Sequence, residues 1–464
     1  MGALVTACEE LLASDPNAVF CATMNRAFTR GEILELSAAL ESRVRAAARE
    51  GEVVGLALGN GPLLAAALLA TLRSGRVALL LDATLPESTR GSVAAQLFAR
   101  ALLTADGRDS AAASTVDVAT TSVAGQPELP RGTAILKLSS GSTRSPRGIA
   151  LGEVEALHDA KTLAGAMQVG PGDRALTVVP MSFSYGFSSL LVPALCYGLE
   201  LVLPLDDGPF AALRAAHGRQ ATFFPAVPAL IGGLNKLQHL DLPSSLRLTI
   251  SAGAALSPAS AAAFSKRFGR AIHAFYGASE CGGICYDATG DAALRGTVGT
   301  PLPGVSVQVG GNDGTVVVRS PGVALGYWPT PDQNLQERTF SASDCACFEG
   351  GELRLLGRKN DSINVDGRKV HPQEVEAVLV AMPGVDDVAV VKDEASSREG
   401  EACWALIACE AGAITRTQVV AWCRERLPYY MVPRRITVLS QLPRNPRGKL
   451  DRETLTRLTG GGDA

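Results

Sequence analysis

Short apolar runs of β-type residues alternate along most of this chain with longer stretches whose apolar residues recur every three or four positions. Ala134–Leu138, Leu176–Val179, Leu201–Leu203, Thr222–Phe224, Leu248–Ile250 and Ile272–Phe275 read as buried strands, with Glu153–Met167 and Phe187–Leu199 as helices among them. A strand that returns parallel to its predecessor needs a crossover, and the crossover helix lies on the sheet and buries its face. The expected fold class is therefore α/β, with a large N-terminal domain of layered, mostly parallel sheets and helices. From about Val309 the pattern breaks into short strands and turns, Gly310–Gly314 and then Thr315–Arg319. After Gly357-Arg358 a small mobile α+β domain is expected, with a helix over Pro372–Val380 and a strand at Val388–Val391. The expected division is residues 1–359 and 360–464.

Charge excludes some partners. Lys and Arg number 43 against 46 Asp and Glu, a net charge of −3, which provides no basic footprint for nucleic acid or an anionic membrane. The most apolar stretch, Val53–Leu72, is interrupted by Asn60-Gly61-Pro62 and reads as strand, turn and buried helix, not as a membrane span. The N-terminus lacks the basic start and unbroken apolar run of a secretory signal. Ten cysteines are scattered, and neither Cys281/Cys285 nor Cys345/Cys347 has a second pair at zinc-site spacing. Five isolated histidines offer no metal cluster. Free thiols in a reducing cytoplasm are expected, and with them small-molecule chemistry.

Four segments carry chemistry. Leu138-Ser-Ser-Gly-Ser-Thr-Arg-Ser-Pro-Arg-Gly148 follows a strand directly. Its small hydroxyl and glycine residues suit a cradle of backbone N–H groups around phosphate oxygens, with Arg147 adding charge. It is not a Walker loop, because no Gly-Lys-Ser/Thr follows at the required spacing, and taken alone it reads first as an ordinary loop, as Ser/Gly/Pro runs usually are. Phe275-Tyr276-Gly277-Ala278-Ser279-Glu280 stands at another strand end, offering a ring to stack on a base, a hydroxyl for a phosphate and a hard oxygen ligand for Mg2+. Asp344 with Gly357-Arg358 offers a carboxylate and a cation for ribose hydroxyls. Pro443-Arg-Asn-Pro-Arg-Gly-Lys449-Leu-Asp451 is a basic loop ending in one lysine. Each of the last three also reads as plain surface turns and charges.

Their order and spacing together resemble the acyl-adenylate-forming superfamily, from about Val53 to Asp451. Ser251-Ala-Gly-Ala-Ala255, Gly296-Thr-Val-Gly-Thr-Pro301, Gly326-Tyr-Trp328 and Asn364-Val-Asp-Gly-Arg-Lys-Val370 with Glu374-Val-Glu376 add to the likeness. The resemblance implies that ATP and Mg2+ are used and that a carboxylic acid is joined to AMP and then passed to a thiol. That thiol belongs to CoA or to the phosphopantetheine of a separate acyl carrier protein. It further implies that Ser139, Ser140, Gly141, Ser142 and Thr143 hold the β- and γ-phosphates with Arg147. Gly253, Ala254, Ala255, Tyr276 and Gly277 line the adenine site, and Asp344 takes the ribose with help from Arg358. Ser279 meets the α-phosphate, Glu280 the metal, and Lys449 both the acyl carboxylate and the α-phosphate. The family's pivot corresponds to Asn360, where relatives usually carry Asp or Lys, and Gly367 and Lys369 fall on the segment that closes for the second step. Two other departures are Thr143-Arg144 in place of Thr-Gly and Pro146-Arg147-Gly148 in place of Pro-Lys-Gly, which keeps the charge but changes its geometry.

Pro180-Met-Ser-Phe-Ser-Tyr-Gly-Phe187 occupies the place where the superfamily has an acyl-gating residue, here Phe183. Amino-acid-activating relatives follow it with Asp; this chain has Ser184, and a buried substrate ammonium without a carboxylate is strongly disfavoured. Tyr185, Phe223, Phe224, Ala226, Val227, Cys281, Gly282, Gly283 and Ile284 complete an apolar pocket for an aryl or a fatty acid. Gly282 and Gly283 there open a channel for a chain or leave room for a ring. Two other functions stay open at this level: a phosphotransferase that would yield ADP instead of AMP and pyrophosphate, and a nucleotide-binding protein of the same fold that has lost turnover.

Overall fold

The computed structural model describes residues 2–105, 112–121, 123, 125–139, 146–205, 209–237, 241–311, 314–359, 363–365, 368–393, 401–410, 412–443, 451 and 454. Ser140, Gly141, Ser142, Thr143, Arg144, Asn360, Gly367, Lys449 and the side chain of Lys369 lie outside the described residues. Spatially the chain falls into two units, Met1–Leu256 with Ala263–Val307 and Val317–Ser341, and Ser257–Ala262 with Gln308–Val316 and Ala342–Ala464.

In the first unit, a seven-stranded sheet has a parallel centre formed by Ala99–Ala105, Val53–Ala57, Val77–Leu80 and Ile135–Leu138 in that spatial order. Antiparallel strands close its two edges: Val116–Thr120 on one side, Gly148–Leu151 and then Gly326–Trp328 on the other. The Val53–Leu72 run becomes the strand Val53–Ala57 and the helix Pro62–Arg73, buried from Pro62 to Leu72 as its apolar residues on every face require. A nine-stranded sheet is built around a parallel core of Val19–Ala22, Glu200–Val202, Arg174–Leu176, Phe223–Ala226, Leu248–Ser251 and His273–Ala278. Ala27–Thr29 at one end, and Gly282–Tyr286 and Thr300–Pro301 at the other, extend it antiparallel. The expected layered, mostly parallel α/β architecture is present.

Two elements differ from their sequence reading. The strand expected over Leu176–Val179 ends at Leu176, its last ladder bond being the Thr177 N–H on the Val202 carbonyl (2.9 Å); beyond it Asn60 Nδ2 takes the carbonyls of Thr177 (3.3 Å) and Val179 (2.9 Å), and Asn60 Oδ1 accepts the Met181 N–H (2.8 Å). Phe187–Leu199 is not one helix: Phe187–Leu191 has the wide π pitch and only Val192–Tyr197 is α-helical. Pro193 has no N–H to return to Ser189, so the ladder is interrupted there. Glu153–Met167 is helical over the expected span.

In the second unit, Asp387–Lys392 and Cys403–Ala408 pair antiparallel and Arg435–Leu439 runs parallel to the latter. The helices Pro372–Val380 and Arg416–Arg424 contribute Val375, Leu379, Val419 and Cys423 to a core shared with Val388, Val390 and Cys403. All ten cysteines are free. Among the described residues no helix is long and apolar enough to cross a membrane.

Candidate active site

The phosphate-loop candidate grows from a hairpin. Ile135–Leu138 and Gly148–Leu151 pair antiparallel with Leu138 opposite Gly148, and the Ser139 N–H donates to the Arg147 carbonyl at 3.0 Å. The third strand, Gly326–Trp328, sets Tyr327 opposite Ile149. Arg147 consequently lies over the Tyr327 ring, 4.4 Å from its centroid, and pairs with Asp332 at 2.9 Å. Tyr327 in turn donates its hydroxyl to Glu280 Oε1 at 2.8 Å. Burial and the neighbouring Glu280 carboxylate push the Tyr327 phenol up, which keeps it a donor. The Asn334 N–H and then the Arg147 guanidinium hold the Asp332 carboxyl below the usual carboxylate range. Arg147 and Glu280, 133 residues apart by numbering, thus belong to one cluster.

A second group of candidates gathers where three parallel strands end. Ala226 aligns with Ser251 and Ser251 with Ala274, so Val227, Ala252–Ala255 and Phe275–Glu280 all emerge on the carboxyl side of the sheet, the side on which α/β sheets bind ligands. A Cβ at Gly253 would stand 3.8 Å from Val227 Cγ1, so those two are neighbours, while Ala254 and Ala255 are exposed. Tyr276 is buried. Gly277 passes close to the next strand, where a Cβ would come within 2.7 Å of the Gly282 carbonyl oxygen. Ser279 and Glu280 are half-buried, and the Glu280 carbonyl accepts the Ala324 N–H at 2.8 Å. Phe224 and Ala226 pack into the interior with Leu176, Val202 and Phe264, and Phe223 is fully buried.

Phe183 caps a one-turn helix, Ser184–Gly186, its carbonyl accepting the Phe187 N–H at 2.7 Å. Tyr185 stacks on Phe275 with centroids 5.6 Å apart, and burial pushes its phenol up. Cys281 and Ile284 are buried, and burial with the Glu280 and Asp159 carboxylates pushes the Cys281 thiol up. In the direction in which a side chain would leave each of the two small residues, neighbouring atoms stand close. A Cβ at Gly282 would meet the Asp159 carboxyl at 2.2 Å, and one at Gly283 would meet Leu302 at 2.6 Å. Nor are the walls wholly apolar: Ser184 Oγ and Tyr185 Oη are buried without a hydrogen-bond partner.

Within the second unit, Asp344 and Arg358 stand opposite each other in the hairpin of Thr339–Glu349 and Glu352–Arg358, with Arg358 Nε 3.4 Å from Asp344 Oδ1. Arg358 is largely exposed, so this pair adds little to stability, about 0–1 kcal/mol. Among the described residues no group of three His, Cys, Asp or Glu side chains is arranged to hold a metal. The single hard oxygen ligand that Glu280 offers still suits Mg2+, which keeps several waters and takes further ligands from nucleotide phosphates.

Sequence reasoning overlooked Asn60, Lys137, Asp159 and Asp332 as parts of this region. Asn60 was legible only as a break in an apolar run, and Asp332 lies just beyond Gly326-Tyr-Trp328. Lys137 was the one readable signal, a lysine in a strand that is otherwise Ile, Leu and Leu.

Residues 8–328 match the model of the AMP-binding enzyme family, and residues 374–449 match that of the AMP-binding enzyme C-terminal domain. Over 343 residues the chain is 27% identical to the long-chain-fatty-acid–CoA ligase of Bacillus subtilis (strain 168), covering 69% of this chain and 61% of that one, so the match spans less than two thirds of that relative. Among solved structures, o-succinylbenzoate CoA synthetase (MenE) of Bacillus subtilis, in complex with the acyl-adenylate OSB-AMP, superposes with a TM-score of 0.83 at 22% identity, covering 100% of this chain and 98% of that one. ATP-bound MatB of Rhodopseudomonas palustris gives 0.84 at 23%, covering 98% of each. These two share the fold. The strand-end segments, the hairpin loop and the tyrosine-linked Arg147–Glu280 cluster therefore sit in a chain that belongs to the AMP-binding enzyme family, within the acyl-adenylate-forming superfamily.

Proposed function

We propose that this protein is an AMP-forming acid–thiol ligase. In the first step a carboxylate oxygen of an aryl or fatty acid attacks the α-phosphorus of ATP. A new P–O bond forms, the bond to the bridging oxygen breaks, and pyrophosphate leaves with the electron pair. In the second step a thiolate, from CoA or from the phosphopantetheine of a carrier protein, attacks the acyl carbon and AMP leaves. The observation that carries this reading is the cluster joining Arg147 to Glu280 through Tyr327 and Asp332, in a chain matched by both family models.

Bringing a carboxylate to a triphosphate sets two anions together, so the site must supply charge and alignment. Ser139 and residues 140–143 would take the β- and γ-phosphates, with Arg147 as a fixed cation whose plane is stacked and paired. Gly253–Ala255, Tyr276 and Gly277 would take the adenine, Asp344 with Arg358 the ribose, and Ser279 the α-phosphate. Glu280 would hold Mg2+, which when bound offsets the charge of the phosphates. Lys449 would reach the reacting carboxylate and the α-phosphate, carried there by residues 360–464 turning about Asn360. Losing one such contact typically costs about 3–4 kcal/mol in the transition state. Acid-dependent ATP–pyrophosphate exchange over benzoic, cinnamic and C4–C16 fatty acids tests the reading. Exchange with one group establishes adenylation and names the acid class, and ATP binding with silence across the panel favours a fold that binds nucleotide without turnover.

A further inference from the structure

Lys137 stands in the middle of the central-sheet strand Ile135–Leu138 and is 2% exposed. Side chains alternate along a strand, so Lys137 shares its face with Ser139, about 7 Å further on, and not with Leu136. Its ammonium lies 4.5 Å from the centroid of the Phe187 ring. Among the described residues it makes no hydrogen bond and no ion pair within 4.0 Å. The nearby Asp159 carboxylate favours its charge through space but gives it no direct bond, and Asp159 Oδ1 accepts the Gly283 N–H at 2.9 Å. Burial lowers the lysine's pKa while Asp159, Cys281 and Glu280 oppose the shift. A desolvated cation–π contact recovers about 2 kcal/mol or more, against the several kcal/mol that desolvating an ammonium costs.

The neighbourhood repeats the pattern. Ser184 Oγ and Tyr185 Oη, on the turn that leads to Phe187, are also buried and unpartnered. Tyr185 stacks on Phe275, and Phe275 stands 3.1 Å from where a Cβ of Gly283 would be, the glycine whose N–H meets Asp159. Polar groups left open around the residues assigned to the acyl pocket ask for polar atoms from the ligand. With Asp159 close enough to balance the charge, a neutral oxygen suffices.

Building on the ligase reading above, we propose that the acid activated here carries a hydroxyl or oxo group on its acyl body, and that Lys137 selects for it by donating a hydrogen bond to that oxygen. A purely hydrocarbon acid would leave the ammonium buried and unmatched. Sites built to bond an oxygen discriminate against analogues lacking it, by about tenfold or more where the donor is charged.

The test compares acids of one skeleton that differ only in hydroxyl, oxo or methyl, such as hydroxybenzoates with toluates and oxo or hydroxy fatty acids with their alkyl counterparts. Pyrophosphate exchange and ligand-induced shifts in melting temperature without ATP are measured on wild type and on Lys137→Met. Wild type is expected to favour the oxygenated acid by about tenfold or more in kcat/KM. Lys137→Met should bring that ratio near one, lose the melting shift given by the oxygenated acid, and itself melt no lower than wild type. Equal or better use of the methyl acids by wild type, with the ratio unchanged in Lys137→Met, overturns the proposal. So does a marked fall in the variant's own melting temperature with its selectivity intact, which would make Lys137 a structural partner of Asp159. Absence of exchange with every acid refutes the ligase reading instead, and the melting shifts still decide whether Lys137 meets an oxygen.

Discussion

Replacing Tyr327 by phenylalanine removes one oxygen and leaves the ring beneath Arg147. In the wild type that oxygen donates to Glu280 Oε1 at 2.8 Å. A hydrogen bond to a charged acceptor contributes about 1.5–3 kcal/mol. Because Glu280 is half-buried, water recovers part of the loss and the lower figure, about 1.5 kcal/mol, applies. At about 1.4 kcal/mol per factor of ten, Tyr327→Phe should weaken whatever depends on the orientation of Glu280 roughly tenfold. The assay is pyrophosphate exchange at saturating ATP and acid with Mg2+ titrated, where the half-saturating Mg2+ concentration should rise, or the plateau rate fall, by that factor. Tyr327→Leu should lose more, since it also removes the ring 4.4 Å from the Arg147 guanidinium. Mg2+ dependence and rate in Tyr327→Phe within about twofold of wild type would show that Glu280 is oriented without the phenol, and the linked cluster would lose its functional meaning.

Asn60→Ala removes three hydrogen bonds to Thr177, Val179 and Met181; at about 1 kcal/mol each it should destabilise the first unit by about 3 kcal/mol, read as a lower urea midpoint. An unchanged midpoint would mean the segment leading to Phe183 is held by other contacts. Gly277→Ala pushes a methyl to 2.7 Å from the Gly282 carbonyl oxygen and should cost about 1–3 kcal/mol, whereas a wild-type melting temperature would deny that the two strands approach so closely. At Asp173 burial raises the pKa, but hydrogen bonds from Arg247 and Thr222 outweigh it and leave the carboxyl lowered in the folded protein. A lowered carboxyl stabilises the fold above its unfolded pKa, about 3.9, and that contribution disappears as pH falls through the folded value. Asp173→Asn should therefore be less stable than wild type at neutral pH, with a gap that narrows below about pH 4 in acid titration monitored by circular dichroism.

The central strands and Glu153–Met167 were legible because burial on both faces demands continuous apolar runs or a regular helical period. The misread stretches failed for non-local reasons. Leu176–Val179 is as apolar as a strand, but a side chain 117 residues earlier claims the Thr177 carbonyl. Site segments at strand ends were readable because their composition departs from the sheet around them. What was not readable was the company each keeps. Tyr327 was seen as part of a family motif, yet nothing in one dimension joins it to Glu280. Excluding an amino-acid substrate from Ser184 considered only the residue following Phe183, while the carboxylate nearest Gly282 comes from Asp159 on a different helix. Lys137 was passed over as one charge in an apolar run, although such a charge is costly enough to require a reason.

The bond from the Ser139 N–H to the Arg147 carbonyl has a bearing on how this chain tolerates change. It clamps the hairpin at its neck, so the register of Leu138 with Gly148 is settled before the chain turns. Substitutions between the two clamped residues are therefore expected to leave the strand register and the seat of Arg147 on its tyrosine in place, even where they abolish the phosphate contacts proposed for residues 140–143. The stem is in that sense a socket, its register and the seat of Arg147 settled by the sheet beneath.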